Sequence, residues 1–307
     1  MKLVTFQADD TIRIGVVRHE GIVALDDSRP AFRSMRALLE AGPEALEAAR
    51  AAGERETDHI ALSDVRLLAP LPRPAQMRDA LVFERHLRQA RANRHIFGLA
   101  PEWVSPDEIA VPAVWYEQPI YYKCNRFAVS GPEDEIRWPK GETRLDYELE
   151  IAAVIGTGGR DISRADAKKH IAGYMIFNDF SARDFQFSEI QAGLGPAKGK
   201  DFDTANALGP WLVTPDEVDP ADGLEMTARV NGEVWSRGRS DEMHHDFARI
   251  VEHVSKNETL HPGEVIGSGT VGNGCGLEHG RFLSAGDVVE LEIEGLGLLR
   301  NRIGHMA

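Results

Sequence analysis

Short apolar groups separated by turn residues open the chain: Leu3, Val4 and Phe6, then Ile12, Ile14 and Val16, then Ile22, Val23 and Leu25, with Asp9-Asp10 and Glu20-Gly21 between them. This spacing predicts a small meander of strands over residues 1 to about 28. From Ala31 to Gly53 the pattern becomes helical and Ala-rich, and Gly42-Pro43 predicts the end of one helix and the start of another. Prolines 70, 72 and 74 punctuate the segment Leu67 to Pro74. The chain is therefore expected to divide into a small N-terminal β/α domain (1–66), a Pro-rich linker (67–75) and a larger domain (76–307).

Within the larger domain, Met77 to Ile96 has the polar, Arg-rich composition of a helix and contains Asp79, Glu84, His86 and His95. A Pro-rich loop from Pro101 to Pro119 leads to Tyr121-Tyr122-Lys123. The run Tyr147, Leu149, Ile151, Val154 and Ile155 predicts a buried strand, and Tyr174 to Phe177 a neighbouring one that Asp179 closes. Ser163 with Asp166 resembles a helix start for Ser163 to His170. Leu194 to Pro210 has loop composition, and a strand follows from Trp211 to Thr214. Asn231-Gly232 predicts a hairpin, Met243 to Val254 an amphipathic helix, and the tail returns to strands at Glu264 to Ile266, Val288 to Ile293 and Leu298-Leu299. Strands dominate and no βαβ repetition occurs, so the class is mainly β with α (α+β) and not a doubly wound parallel sheet.

A formal charge of −14 on 307 residues argues against nucleic acid or an anionic membrane as partner. The two cysteines, Cys124 and Cys275, are far apart and lack CxxC spacing, which disfavours a disulfide framework or a zinc cage. No apolar signal core or membrane-length run is present in the sequence, and a cytoplasmic location is expected.

Glu148 and Glu150 stand two apart in the buried run, so their carboxylates leave the same face and need a proton, a basic partner or a cation. With Asp179 delivered by the next strand, three carboxylates suit a hard cation. In NDFSARD, Arg183 and Asp184 have the look of a pair that pins a turn. Lys200 lies in a flexible GKDFD loop, where an ammonium could meet an oxyanion. GSGTVG (267–272) has dinucleotide-loop spelling, but the glycine-rich NGCGLEHG that follows excludes the required helix, leaving a loop with Thr270 on a pocket. DEMHHD (241–246) is expected at the solvated first turn of the later helix.

LDYELEIAAVIG, GYMIFNDFSARDFQ, GKDFDTANALGPW, VNGE, GSGTVGNGCGLE and GDVVELEIEGLGLLRN, in this order, resemble the fumarylacetoacetate hydrolase superfamily over residues 70 to 304, closest to its fumarylacetoacetase-type hydrolases. The resemblance implies a mixed β-sandwich roll, a homodimer, and a divalent metal, Mg²⁺ first with Mn²⁺ or Ca²⁺ as alternatives. It implies Asp79, Glu148, Glu150 and Asp179 as metal ligands, His86 as base, Glu278 as its orienting carboxylate, and Lys200 as the loop lysine. Tyr122, Phe180, Arg183, Gln186 and Thr270 are implied around a small keto-acid substrate. Leu81, Phe180 and Ile190 replace aromatic positions of the family pattern, which points away from fumarylacetoacetate itself. The implied activity is hydrolytic cleavage of a carbon-carbon bond in a β-diketo acid. A lyase of the same fold, dehydrating or decarboxylating a 2-keto acid, is the alternative.

Overall fold

The computed structural model describes residues 1–19, 21–55 and 58–306, so Glu20 of the expected meander turn lies outside the described residues. The strand Leu149–Ile155 is buried at every position because both of its faces are covered. Leu149, Ile151, Ala153 and Ile155 enter a core that continues into Met226, Ala228, Leu291 and Ile293 of a five-stranded sheet. Ala152 and Val154 point the other way, into a core shared with Phe32, Met35, Leu38 and Leu39. Two apolar layers therefore sandwich a twelve-stranded sheet.

In that sheet Leu149–Ile155 lies between Ile171–Asp179 and Val265–Gly267. Beyond Ile171–Asp179 come Asn206–Val213, Lys2–Ala8, Thr11–Arg18 and Gly21–Ala24; beyond Val265–Gly267 come Met77–Ala80 and Tyr121–Lys123. The expected N-terminal meander thus shares its sheet with the rest of the chain, Lys2 standing opposite Val213 and Leu3 opposite Leu212. In the second sheet, Glu225–Val230 and Glu233–Arg239 form the hairpin expected at Asn231-Gly232. Both turn residues have positive φ (52° and 80°), the backbone that a two-residue turn demands and that Asn and Gly tolerate.

Several element boundaries differ from the sequence expectation. Met77–Ala80 is a strand, and the helix begins only at Glu84, running to Ala92. Its polar letters mislead because Arg78 is buried between Glu264 and Glu258, and Asp79 turns into a cleft. Ser163 and Asp166 do bond each other, but only Ala167–His170 is helical, as a 3-10 turn. The strand Asn206–Val213 starts inside the segment whose glycine-rich composition suggests a loop, held there by pairing with Ile171–Asp179. The helix expected from Met243 begins at Phe247, where the Asp246 side chain accepts the Arg249 amide at 2.8 Å, so His244 and His245 precede it.

Arg78 and Glu264, 2% and 3% exposed at their side chains, fasten Met77–Ala80 beneath the strand that precedes the glycine-rich loop. Removing one member of a buried pair leaves an uncompensated charge, so Arg78→Ala is expected to lower unfolding free energy by about 3–5 kcal/mol, measured by urea denaturation.

Candidate active site

Strand register gathers the acidic residues. Glu150 stands opposite Phe177, Ala152 opposite Gly267, Gly267 opposite Asp79, and Asp79 opposite Tyr122. Opposed residues leave the same face of a sheet, and Asp179 follows Phe177 by two positions. Adjacent strands therefore turn Asp179, Glu150, Asp79 and Tyr122 to one face. Gly267 sits among them, and a Cβ there would stand 2.3 Å from Asp79 Oδ1 and 2.9 Å from the Phe177 ring, so the cluster needs a bare backbone at this point. The same period of two explains where Phe180 goes: next to Asp179, it faces away into the hydrophobic core and does not line the cavity where the resemblance places it.

Carboxylate oxygens of Asp79, Glu150 and Asp179 lie within 4.8 Å of one another. Thr270 Oγ1 donates to Glu150 Oε1 (3.2 Å), the Gly269 amide to Asp79 Oδ1 (3.0 Å), and Tyr122 Oη to Asp179 Oδ2 (2.6 Å). Glu150 Oε2 and Asp179 Oδ1 are buried and without a partner. Two orphaned carboxylate oxygens in a three-carboxylate cluster fit a hard divalent cation. Glu148 is placed differently: its oxygens pair with Lys200 Nζ (2.5 Å) and Arg183 Nη1 (2.8 Å), and Lys200 also reaches Asp179 Oδ2 (2.6 Å).

Burial and the Asp179 charge push Asp79 up to about 8, and burial, against the opposing pull of Lys200, pushes Asp179 up to about 6. Burial and the Asp79 and Asp179 charges hold Glu150 well above the carboxyl range. Burial acts in the same sense on Glu148, yet Lys200 and Arg183 overcome it and hold this carboxyl below the ordinary range. Burial opposes the Lys200 ammonium, but Asp179 and Glu148 keep its pKa above the usual value.

Across the cavity, His86 Nδ1 lies 3.0 Å from Glu278 Oε1. Glu278 is fixed in turn by the Cys275 amide at Oε2 (3.0 Å), while Asn93 Nδ2 donates to the Glu278 carbonyl (3.1 Å) and ties the turn to the His86 helix. A Nδ1–H donated to the Glu278 carboxylate leaves Nε2 as the basic nitrogen. The cavity, of about 610 Å³, is lined by His86, Lys200, Glu148, Asp79, Tyr122, Thr270, Arg183 and Gln186 on its polar side. Leu81, Leu87, Ile120, Phe187 and Ile190 form an apolar wall, and Arg91 and Arg94 also line the cavity.

Arg183 does not pair with Asp184, contrary to the turn-pin expectation. It is buried and reaches Asp146 Oδ2 through Nε (3.0 Å) and Nη2 (2.7 Å), whereas Asp184 engages Arg144 and Thr143. Sequence reasoning missed Asp146, whose carboxylate also accepts the Gly276 and Leu277 amides (2.8 and 2.9 Å) and so joins Arg183 to the turn that carries Glu278. Its place in LDYELE, a third acid at the two-residue spacing of Glu148 and Glu150, was the available signal, although the structure puts it on the separate short strand Leu145–Asp146.

Residues 78–304 match the family model for the fumarylacetoacetate hydrolase C-terminal domain, and residues 1–70 match an Rv2993c-like N-terminal model. The mitochondrial oxaloacetate tautomerase fahd2 of Xenopus laevis is 34% identical over 316 residues, covering 99% of this chain and 90% of that protein. A 2,4-didehydro-3-deoxy-L-rhamnonate hydrolase of a Sphingomonas species is 39% identical over 189 residues, covering 61% of this chain and 65% of that protein. The structure of a fumarylacetoacetate hydrolase from Exiguobacterium antarcticum superposes with a TM-score of 0.76 at 30% identity, covering 99% of both chains. The chain belongs to the fumarylacetoacetate hydrolase superfamily, an enzyme family whose members here include tautomerases and hydrolases. Among the described residues no helix is long and apolar enough to cross a membrane.

The raised carboxyl groups carry a signed consequence. A carboxyl with a raised folded-state pKa contributes stability that is present at low pH and lost as pH rises through that pKa, here about 6 for Asp179 and about 8 for Asp79. The metal-free protein should therefore lose thermal stability progressively from about pH 4, the ordinary carboxyl range, to about pH 8, and saturating Mg²⁺ or Mn²⁺ should raise Tm more at pH 8 than at pH 6, as read by differential scanning fluorimetry.

Proposed function

We propose that the chain is a metal-dependent hydrolase that cleaves the C3–C4 bond of a 2,4-dioxo acid. The observation that carries this reading is the His86–Glu278 pair, an oriented base opening into a cavity of about 610 Å³ whose apolar wall extends beyond the carboxylate cluster. A divalent cation, Mg²⁺ in the first instance, held by Asp79, Glu150 and Asp179 would supply a Lewis acid that polarises the 2-oxo acid head of the substrate. Glu278 holds the imidazole so that Nε2 takes a proton from water, and the hydroxide adds to the C4 carbonyl. Lys200 and the cavity-lining Arg183 donate hydrogen bonds to the anionic substrate oxygens. The C3–C4 bond then breaks, releasing a carboxylic acid, and the imidazolium returns its proton to C3 of the departing enolate to give the 2-oxo acid.

Substrate class follows from two arginines that line the cavity. Arg91 donates to the Ala110 carbonyl (3.2 Å) and, among the described residues, forms no salt bridge; burial and the neighbouring Arg94 charge lower its pKa. Arg91 and Arg94, neither in a salt bridge among the described residues, favour an acidic group on the acyl arm. Arg91→Met is accordingly expected to raise KM about tenfold for a 2,4-dioxo acid with a terminal carboxylate, and to leave KM for a neutral-tailed acylpyruvate within about twofold, the loss of roughly one ion pair.

A second reading is favoured by the coverage of the Xenopus laevis tautomerase: the same base moving a proton at C3 of oxaloacetate without bond cleavage. The deciding assay offers acylpyruvates and oxaloacetate separately, with Mg²⁺ and with chelator, and identifies products. Two acid fragments from an acylpyruvate, lost with chelator and reduced about 10²–10⁴-fold in His86→Ala, are expected. Enol–keto interconversion of oxaloacetate with no fragmentation of any acylpyruvate would replace the hydrolase reading with the tautomerase one.

A further inference from the structure

We propose that His86, Cys275 and Glu278 form a second cation site, suited to a thiophilic divalent ion of the zinc class, whose occupation takes the base out of use. A ring nitrogen of His86, Sγ of Cys275 and a carboxylate oxygen of Glu278 lie within 4.8 Å of one another, and all three side chains are buried. Ligands bound to one zinc ion stand roughly 3–4 Å apart, given Zn–N and Zn–S bonds of about 2.0–2.3 Å, so a small inward movement of the side chains closes the site. Backbone pairing holds the thiol in place: Cys275 bridges to Glu148 across the strand edge and begins the 3-10 turn Gly276–His279. His86 also lines the cavity, which gives an ion its route in.

Donor chemistry separates this cluster from the carboxylates of Asp79, Glu150 and Asp179. An all-oxygen set selects Mg²⁺, Mn²⁺ or Ca²⁺, whereas one sulfur, one imidazole nitrogen and one carboxylate select zinc or cadmium. A divalent ion here would also bring positive charge to a buried carboxyl and thiol. Whichever ring nitrogen binds, the imidazole lone pair is occupied and no proton can be accepted from water. The site rests on this geometry and not on the identity of the substrate.

The test uses the full chain saturated with Mg²⁺ and titrated with Cd²⁺, following the ultraviolet thiolate-to-metal charge-transfer band. A band saturating at one equivalent is expected, present also in Cys124→Ser and Asp79→Asn, lost in both Cys275→Ser and Cys275→Ala, and weakened in affinity by tenfold or more in His86→Ala. No band in the wild type, or a band lost in Cys124→Ser and kept in Cys275→Ser, overturns the site. Zn²⁺ should further inhibit turnover in the wild type and not in Cys275→Ser, and equal inhibition of both would overturn the assigned effect. Because the absorption titration requires no substrate, a wrong cation site and a wrong reaction fail in different experiments.

Discussion

Excess buried negative charge is the constraint around which this molecule is built. Asp79, Glu148, Glu150 and Asp179 converge where little water remains, and Lys200 and Arg183 are the cations that face them directly. The two cations satisfy Glu148 and one oxygen of Asp179, and the remaining carboxylates are left either to hold protons or to share a cation. Such a cluster is intrinsically destabilising. It persists because the sheet beneath it is covered on both faces by apolar layers and anchored at its flank by the buried Arg78.

The polar contacts divide the cavity into two electrostatic halves. On the sheet side, three carboxylates make an all-oxygen set of the kind that suits a hard cation, with Lys200 bridging Glu148 and Asp179. On the helix side, His86 and Glu278 are paired with each other and share no carboxylate with the first set. Asp146 links the halves mechanically, because one carboxylate orients Arg183 and fixes the amides of the turn bearing Glu278. Arg183 and the Glu278 turn that holds His86 are thus fixed to a common reference although they come from separate elements.

Much of the sheet side was legible in the chain. Period-two spacing around Glu148 and Glu150, and the position of Asp179 at the end of an apolar run, reflect local geometry that a linear pattern records. The strand Met77–Ala80 was not legible, since what makes its polar residues tolerable is Glu264 and Glu258, close to two hundred positions away. Asp79, His86 and Glu278 came from family resemblance for the same reason: no local rule joins positions 86 and 278. The orientation of Phe180 could have been read from the alternation that places Asp179 in the site, but the family pattern suggested otherwise.

The cavity's walls come from different parts of the fold. The ionic floor belongs to central strands, where Gly267 shows that even one added carbon has no room. Leu81 and Ile120 stand at the ends of Met77–Ala80 and Tyr121–Lys123, where the Leu81 amide donates to the Ile120 carbonyl (2.9 Å), and Ile190 belongs to the 3-10 turn Ile190–Ala192. Exchanging such wall residues reshapes the cavity without replacing a member of the carboxylate cluster. A scaffold arranged this way can acquire new substrates by small steps, each step leaving an operative enzyme behind it.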